Sequence, residues 1–208
     1  MTVRPEGLRC EYLVDPDAID ELRPLLSWTL ADDGTAARGW LQAAYRILVA
    51  TTPDRLAPGT ADLWDSGRVA AGTTVAIAYG GTALRSRLAC WWTVCAWDEN
   101  DQATRWAAPA RWTMGLLEPD DWAGSWIGLD EPAPDEPATP PANADGRRVL
   151  WPSRLSARML RREFDVRGPV REARLYVAGL GFHEVEINGR RVGDHVCDPA
   201  LTNYDHRV

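Results

Sequence analysis

The sequence predicts an all-β fold: a sandwich, then the opening strands of a second sheet. Three observations carry this. Short runs rich in Val, Ile, Thr and aromatics recur at fairly even spacing up to residue 117, with turn residues between them, as in an antiparallel sandwich. Almost no segment shows a helical hydrophobic period, apart from one turn at residues 17–22. The stretch 174–194 reads as strand, tight turn, strand, Asn-Gly hairpin, strand.

The runs of the first block are 25–30 (Leu-Leu-Ser-Trp-Thr-Leu), 44–51, 62–69, 73–79, 87–98 and 110–117. In the second, Tyr45, Ile47 and Val49 alternate with Arg46, Leu48 and Ala50, as a half-buried strand requires. The run Leu88-Ala-Cys-Trp-Trp-Thr-Val-Cys-Ala-Trp97 is apolar on both faces. Trp92 shares one face with Cys90 and Val94; Trp91 and Trp97 share the other with Thr93 and Cys95. Such a strand is expected to be covered on both sides, by the sandwich core and by a neighbouring domain, unless its outer aromatics hold a ligand.

Asp121-Trp-Ala-Gly-Ser-Trp-Ile-Gly128 closes this block. A Pro-rich, acidic stretch follows, with Pro132, Pro134, Pro137, Pro140 and Pro141, and reads as a stiff linker or surface loop. The chain resumes near Leu155 with Arg158-Met-Leu-Arg-Arg-Glu-Phe-Asp-Val166. The expected division is 1–126 sandwich, 127–147 linker or loop, and 148–208 an incomplete second β domain. A hairpin or two is marginal in water, so the second block reads as the front of a larger domain.

Composition narrows the partners. Hydrophobic content of 45% supports a packed core. The net charge of −7 argues against a nucleic acid, whose affinity rests on basic residues meeting phosphates. All 23 basic residues are Arg. The N-terminus lacks the apolar core of a signal peptide, and no run approaches the ~18 apolar residues of a membrane span, so a cytoplasmic location is expected. Cys10, Cys90, Cys95 and Cys197 fit reduced thiols used as small apolar residues; a spacing of five puts Cys90 and Cys95 on opposite faces of a strand.

Several constellations touch chemistry, and each has a plainer structural reading. Gly179-Leu-Gly-Phe-His-Glu184 begins like a dinucleotide loop, but Glu184 stands where the third Gly belongs and a strand follows. Asp98-Glu-Asn-Asp-Gln opens like a calcium loop, yet Ala103 and Pro109 occupy the positions of its Gly and bidentate Glu. Glu184 and Glu186 share a strand face and could form a carboxylate pair, although a solvated face looks the same. His183, His195 and His206 lack metal-ligand spacing. Catalytic, cofactor and metal residues are therefore each expected to be none. The 11 Trp residues, ten of them before residue 127, are the strongest binding hint, because aromatic faces stack on sugars. Core and interface packing accounts for most of them equally well.

A set of ordered blocks carries a family resemblance: Leu8-Arg-Cys-Glu-Tyr-Leu-Val-Asp-Pro, Leu26-Ser-Trp, Gln42-Ala-Ala-Tyr-Arg-Ile-Leu-Val-Ala50, Leu63-Trp-Asp-Ser-Gly67, Trp91-Trp-Thr-Val-Cys-Ala-Trp-Asp98, Trp112-Thr-Met-Gly-Leu-Leu117, Asp121-Trp-x-x-x-Trp-Ile-Gly128, Leu160-Arg-Arg-Glu-Phe164, Ala173-Arg-Leu-Tyr-Val-Ala-Gly-Leu-Gly181, Ile187-Asn-Gly-Arg-Arg-Val-Gly-Asp194 and Thr202-Asn-Tyr-Asp-His-Arg-Val208. Together they resemble the opening of bacterial α-L-rhamnosidases of glycoside hydrolase family 78. Residues 131–141 depart from that pattern as an insertion, and Cys95 replaces a larger or branched residue.

The resemblance implies a fibronectin-III/immunoglobulin-like sandwich, then a jelly-roll (galactose-binding-like) domain, with a catalytic (α/α)6 barrel further along. Inverting hydrolysis of terminal α-L-rhamnosides would reside in that barrel. No catalytic position of the family maps onto residues 1–208. The expected function is thus the non-catalytic front of a rhamnosidase, inactive alone. Its expected partners are the rest of the polypeptide and, through the parent enzyme, rhamnosylated glycans or flavonoids. Two alternatives stay open: a carbohydrate-binding module using exposed Trp residues, and a purely structural domain packed on the barrel.

Overall fold

A computed structural model describes residues 3–32, 34, 39–128 and 159–199. Compactness divides the chain into two units, Met1–Ile127 and Gly128–Val208. Each is built from antiparallel strands.

In the first unit, strands β1 (Val3–Cys10), β2 (Leu25–Asp32), β3 (Gln42–Ala50), β4 (Trp64–Asp65), β5 (Ile77–Ala78), β6 (Ala89–Asp98) and β7 (Ala110–Thr113) form two sheets. Their orders are β1-β2-β5 and β4-β3-β6-β7. One apolar cluster joins both sheets, with Leu8 and Cys10 from β1, Leu26 and Trp28 from β2, Tyr45, Ile47 and Val49 from β3, and Cys90, Trp92 and Val94 from β6. Trp112 and Met114 add to it. Edge-on aromatic contacts tie it together: Trp28 to Tyr45 at 5.3 Å between ring centroids, and Tyr79 to Trp112 at 6.0 Å.

In the first unit four features differ from the sequence expectation. First, β1 is an additional strand. Pro5 and Gly7 argue locally against it, but β1 lies at a sheet edge, where a missing N–H is tolerated. The register slips between Glu6 and Arg9, around Gly7 at φ +59°. A Cβ there would stand 3.0 Å from Thr29 Oγ1, so the bulge takes a glycine.

Second, the runs 62–69 and 73–79 shrink to the two-residue strands β4 and β5. Both are outer strands held by few ladder bonds.

Third, residues 44–50 do not form a half-buried strand, since Leu48 and Ala50 are fully buried as well. β3 is an inner strand, with Thr93 opposite Leu48 and Trp91 opposite Ala50 on the outer face. Fourth, residues 17–22 hold no helical turn; Ile19 instead forms a parallel bridge with Met114. Short 3-10 turns occur at Pro53–Arg55 and Pro119–Asp121.

In the second unit, β8 (Glu186–Ile187) and β9 (Arg190–Arg191) form the expected hairpin. Asn188 and Gly189 both have positive φ, 51° and 72°. This is the type I′ geometry that an Asn-Gly pair favours. The expected strand over 174–178 does not form; among the described residues no ladder partner lies beside it. No residue of 159–199 reaches full burial, and Phe164, Leu175, Leu180 and Phe182 are all exposed. The expected linker from residue 129 onward, and 148–158 and 200–208 of the second block, lie outside the described residues.

Candidate functional site

The outer face of the four-stranded sheet carries a set of polar and aromatic groups of the first unit. Arg46 on β3 reaches Asp65 on β4 with two parallel bonds, Nε to Oδ1 at 2.8 Å and Nη2 to Oδ2 at 2.6 Å. These bonds hold the Asp65 carboxyl below the usual carboxylate range, against an opposing push from burial. The Arg68 guanidinium lies over the Trp97 ring at 5.1 Å from its centroid and also pairs with Asp101. Between these groups Thr93 donates to Ala107 O at 2.8 Å, and the Cys95 thiol sits 3.3 Å from Thr104 O. Trp91 and Trp97 are half-buried, and Trp92 on the core face is fully buried. The period-2 sorting of the three Trp residues therefore appears in three dimensions.

Five more carboxylates of this unit fasten its own loops. Asp98 Oδ1 accepts from Asn100 N at 2.9 Å and Gln102 N at 2.8 Å, so the calcium-like segment is a capped polar turn. Asp62 accepts from Thr51 N at 2.9 Å and Thr51 Oγ1 at 2.7 Å. Asp15 accepts from Arg111 N at 2.8 Å, and Asp17 from Thr113 Oγ1 at 3.1 Å. Asp121 bonds the Ser86 hydroxyl and Glu118 N, closing the loop that leaves β7. Gln42 does the same in the interior. Its Oε1 accepts from Trp28 Nε1 at 3.1 Å, while its Nε2 donates to Ala71 O at 3.2 Å and Thr73 O at 3.0 Å.

The remaining sequence candidates are dispersed. Glu184 is exposed and ion-paired with Arg191 at 3.1 Å; Glu186 is exposed on β8. His183 donates its backbone N–H to Asp198 O at 2.9 Å, and its ring leaves no room for a Cβ on Gly179, which would stand 2.6 Å from Nδ1. That contact explains the first glycine of the Gly-Leu-Gly turn. His195 is largely exposed beside Asp194 and Asp198, and His206 lies outside the described residues. No group of three or more metal-binding side chains gathers among the described residues. No helix among them is long and apolar enough to cross a membrane.

All four cysteines are free; Cys10, Cys90 and Cys95 are buried and Cys197 is exposed. Burial pushes the Cys10 and Cys90 thiols up to about 12, which leaves them as small apolar residues. Among the described residues three Trp are exposed, Trp106, Trp122 and Trp126. Sequence reading missed Gln42, the Arg68–Trp97 stack and the clasping carboxylates. The one signal for them was opposite charge on segments later found adjacent, Arg46 and Asp65.

These features define an immunoglobulin-type β-sandwich module whose polar groups secure its own loops. The chain belongs to the family of Rha78A-like N-terminal immunoglobulin domains, whose model matches residues 5–118. The model of the α-L-rhamnosidase N-terminal domain matches residues 168–208. An α-L-rhamnosidase of Formosa agariphila is 34% identical over 197 residues, which are 93% of this chain and 20% of that protein. An α-L-rhamnosidase of Streptomyces avermitilis is 30% identical over 190 residues, 88% of this chain and 18% of that protein. The crystal structure of Streptomyces avermitilis α-L-rhamnosidase complexed with L-rhamnose is similar with a TM-score of 0.58 and 34% identity, over 64% of this chain and 12% of that one. The α-L-rhamnosidase of Aspergillus terreus shares the fold, with a TM-score of 0.65 at 23% identity over 100% of this chain and 21% of that one. The chain thus corresponds to an N-terminal region and spans a fifth or less of the length of these curated relatives.

Proposed function

We propose that this chain is the non-catalytic front of an α-L-rhamnosidase, a rigid β module rather than a hydrolytic centre. Residues 1–126 form the sandwich, 127–147 a linker or surface loop, and 148–208 the opening of a jelly-roll domain. One observation carries the reading. Asp15, Asp17, Asp62, Asp65, Asp98 and Asp121 of the first unit are each bonded to its own loops or to an Arg. Inverting glycoside hydrolysis needs two carboxyl groups facing one another across a substrate and a water, roughly 6.5–9.5 Å apart. Clasped carboxylates are poorly placed for that. The chemistry then belongs to a barrel elsewhere in the parent polypeptide, acting on terminal rhamnose of glycans or flavonoids. Four free thiols suit a reducing compartment, the cytoplasm.

The test is hydrolysis of an aryl α-L-rhamnoside by the 208-residue chain and by the complete polypeptide. Only the complete polypeptide should turn it over. Turnover by the 208-residue chain that Glu184→Gln or Glu186→Gln abolishes would overturn the reading. A carbohydrate-binding role is the second reading, favoured by the exposure of Trp122 and Trp126, 45% and 67%. It requires rhamnose to change the tryptophan fluorescence of the chain, and Trp126→Ala to remove that response.

A further inference from the structure

The loop between β1 and β2 is built from backbone conformations that L side chains seldom adopt. Cys10 N donates to Leu13 O at 3.0 Å and Leu13 N to Cys10 O at 2.9 Å, so Glu11 and Tyr12 are the two central residues of a tight hairpin. Their φ values are 50° and 64°, both left-handed. That is a type I′ turn, normally Asn-Gly, made here from Glu-Tyr. Asp15 and Ala18, at φ 45° and 57°, add two more left-handed residues within the same loop. An L side chain pays for this conformation at every such position, and it persists only where the surroundings over-determine it.

The surroundings do so. Glu11 Oε1 accepts from Leu25 N at 2.6 Å, and Glu11 N donates to Leu25 O at 2.9 Å. Arg9 Nη1 donates to Tyr12 O at 2.9 Å. Further along, Asp15 takes Arg111 N, Ala18 N donates to Thr113 Oγ1 at 2.9 Å, and Ile19 N donates to Thr113 O at 2.9 Å. The loop is a fixed projection from the sandwich.

What it projects is apolar. Tyr12, Leu13 and Val14 are consecutive and 59%, 55% and 64% exposed. Three adjacent apolar side chains in water are a liability unless something covers them. Their combined exposed area is on the order of a few hundred Å², well below the roughly 800 Å² per partner of a stable interface between separate proteins. A tip this small suits a partner on the same chain, where tethering supplies an effective concentration in the millimolar range. The relatives continue for about four-fifths of their length outside the matched part.

We infer that Tyr12, Leu13 and Val14 are a pre-organised docking tip that seats in an apolar concavity of the parent polypeptide beyond Val208. The inference rests on the reading above in one respect, that the chain continues into a larger polypeptide. The strained turn holds the three side chains in position in advance, so seating them costs little further ordering.

The test uses Tyr12→Gly in the 208-residue chain and in the complete polypeptide. Glycine relieves the left-handed strain and removes the ring. The melting temperature of the 208-residue chain should rise by about 2–5 °C, and that of the complete polypeptide should fall. Opposite signs are the signature of docking; a rise in both overturns it. Independently, Val14→Cys should react with a maleimide at least tenfold more slowly in the complete polypeptide than in the 208-residue chain, Cys197 being resolved by peptide mapping. Equal rates overturn the proposal. So does self-association of the 208-residue chain that Leu13→Ser abolishes, which would make the partner a second copy. A rhamnose-dependent rise in melting temperature that Tyr12→Gly removes would make the partner a sugar and overturn it equally. Rhamnoside hydrolysis by the complete polypeptide is scored separately, so a failed activity and a failed docking contact are distinguishable.

Discussion

Arg46 and Asp65 bridge β3 and β4 in a fork-to-fork ion pair on the outer face of the sheet, at 2.8 and 2.6 Å. β4 contributes only two ladder residues, and this pair adds to the flanking bonds from Leu63 N to Val49 O and from Ser66 N to Ile47 O that hold the outer strand. Both side chains are about three-quarters withdrawn from water, where a bidentate charged bond outweighs an ordinary surface pair.

Asp65→Asn should cost about 1–2 kcal/mol at pH 7 by chemical denaturation. The pH dependence follows from the lowered Asp65 pKa. A carboxyl depressed in the folded state stabilises it fully above the unfolded value of about 3.9. That contribution is lost as pH falls through the lower folded value. The gap between wild type and Asp65→Asn should therefore be constant from pH 7 to about 5 and close below pH 4. A gap that persists at low pH would assign the loss to packing.

Gln42 is the only bridge from Trp28 Nε1 to the carbonyls of Ala71 and Thr73 that the described residues provide. Gln42→Leu should leave the buried Trp28 Nε1–H and two part-buried carbonyls without this partner and cost about 1–3 kcal/mol. A loss below about 0.5 kcal/mol would mean that other groups take over those bonds.

Trp91 and Trp92 are neighbours in sequence with opposite fates. Trp92→Ala empties the centre of the core and should cost about 3–5 kcal/mol. Trp91→Ala, on the half-buried outer face, should cost clearly less in the 208-residue chain. Equal losses, measured in the same urea titration, would contradict the assignment of faces.

The native chain should label at one thiol, Cys197, and the denatured chain at all four. Cys10 and Cys90, with pKa values of about 12, should stay unreactive at pH 8 until the sandwich unfolds. Rapid labelling of two or more native thiols would show that the core opens readily.

Limited proteolysis should cut within 159–199 before it cuts within the first unit, because no residue there is fully buried. A surviving C-terminal product with a degraded sandwich would reverse the order of stability.

Local pattern determined much of this molecule. Alternation and β-branched runs identified β2, β3, β6 and β7, the parity of positions 91, 92 and 97 separated the core Trp from the outer pair, and Asn188-Gly189 specified its own hairpin. All of these depend on side-chain period or turn chemistry within a few residues. Tertiary structure decided the rest. β1 is a strand despite Pro5 and Gly7 because it occupies an edge and can bulge. Residues 174–178, with a good strand sequence, join no ladder among the described residues. Leu48 and Ala50 are buried because β3 is an inner strand. The bond from Gln42 to Trp28 and the left-handed turn at Glu11 and Tyr12 both depend on groups distant in sequence. A ladder, a buried polar network and a strained loop each need partners that only the closed sandwich brings together.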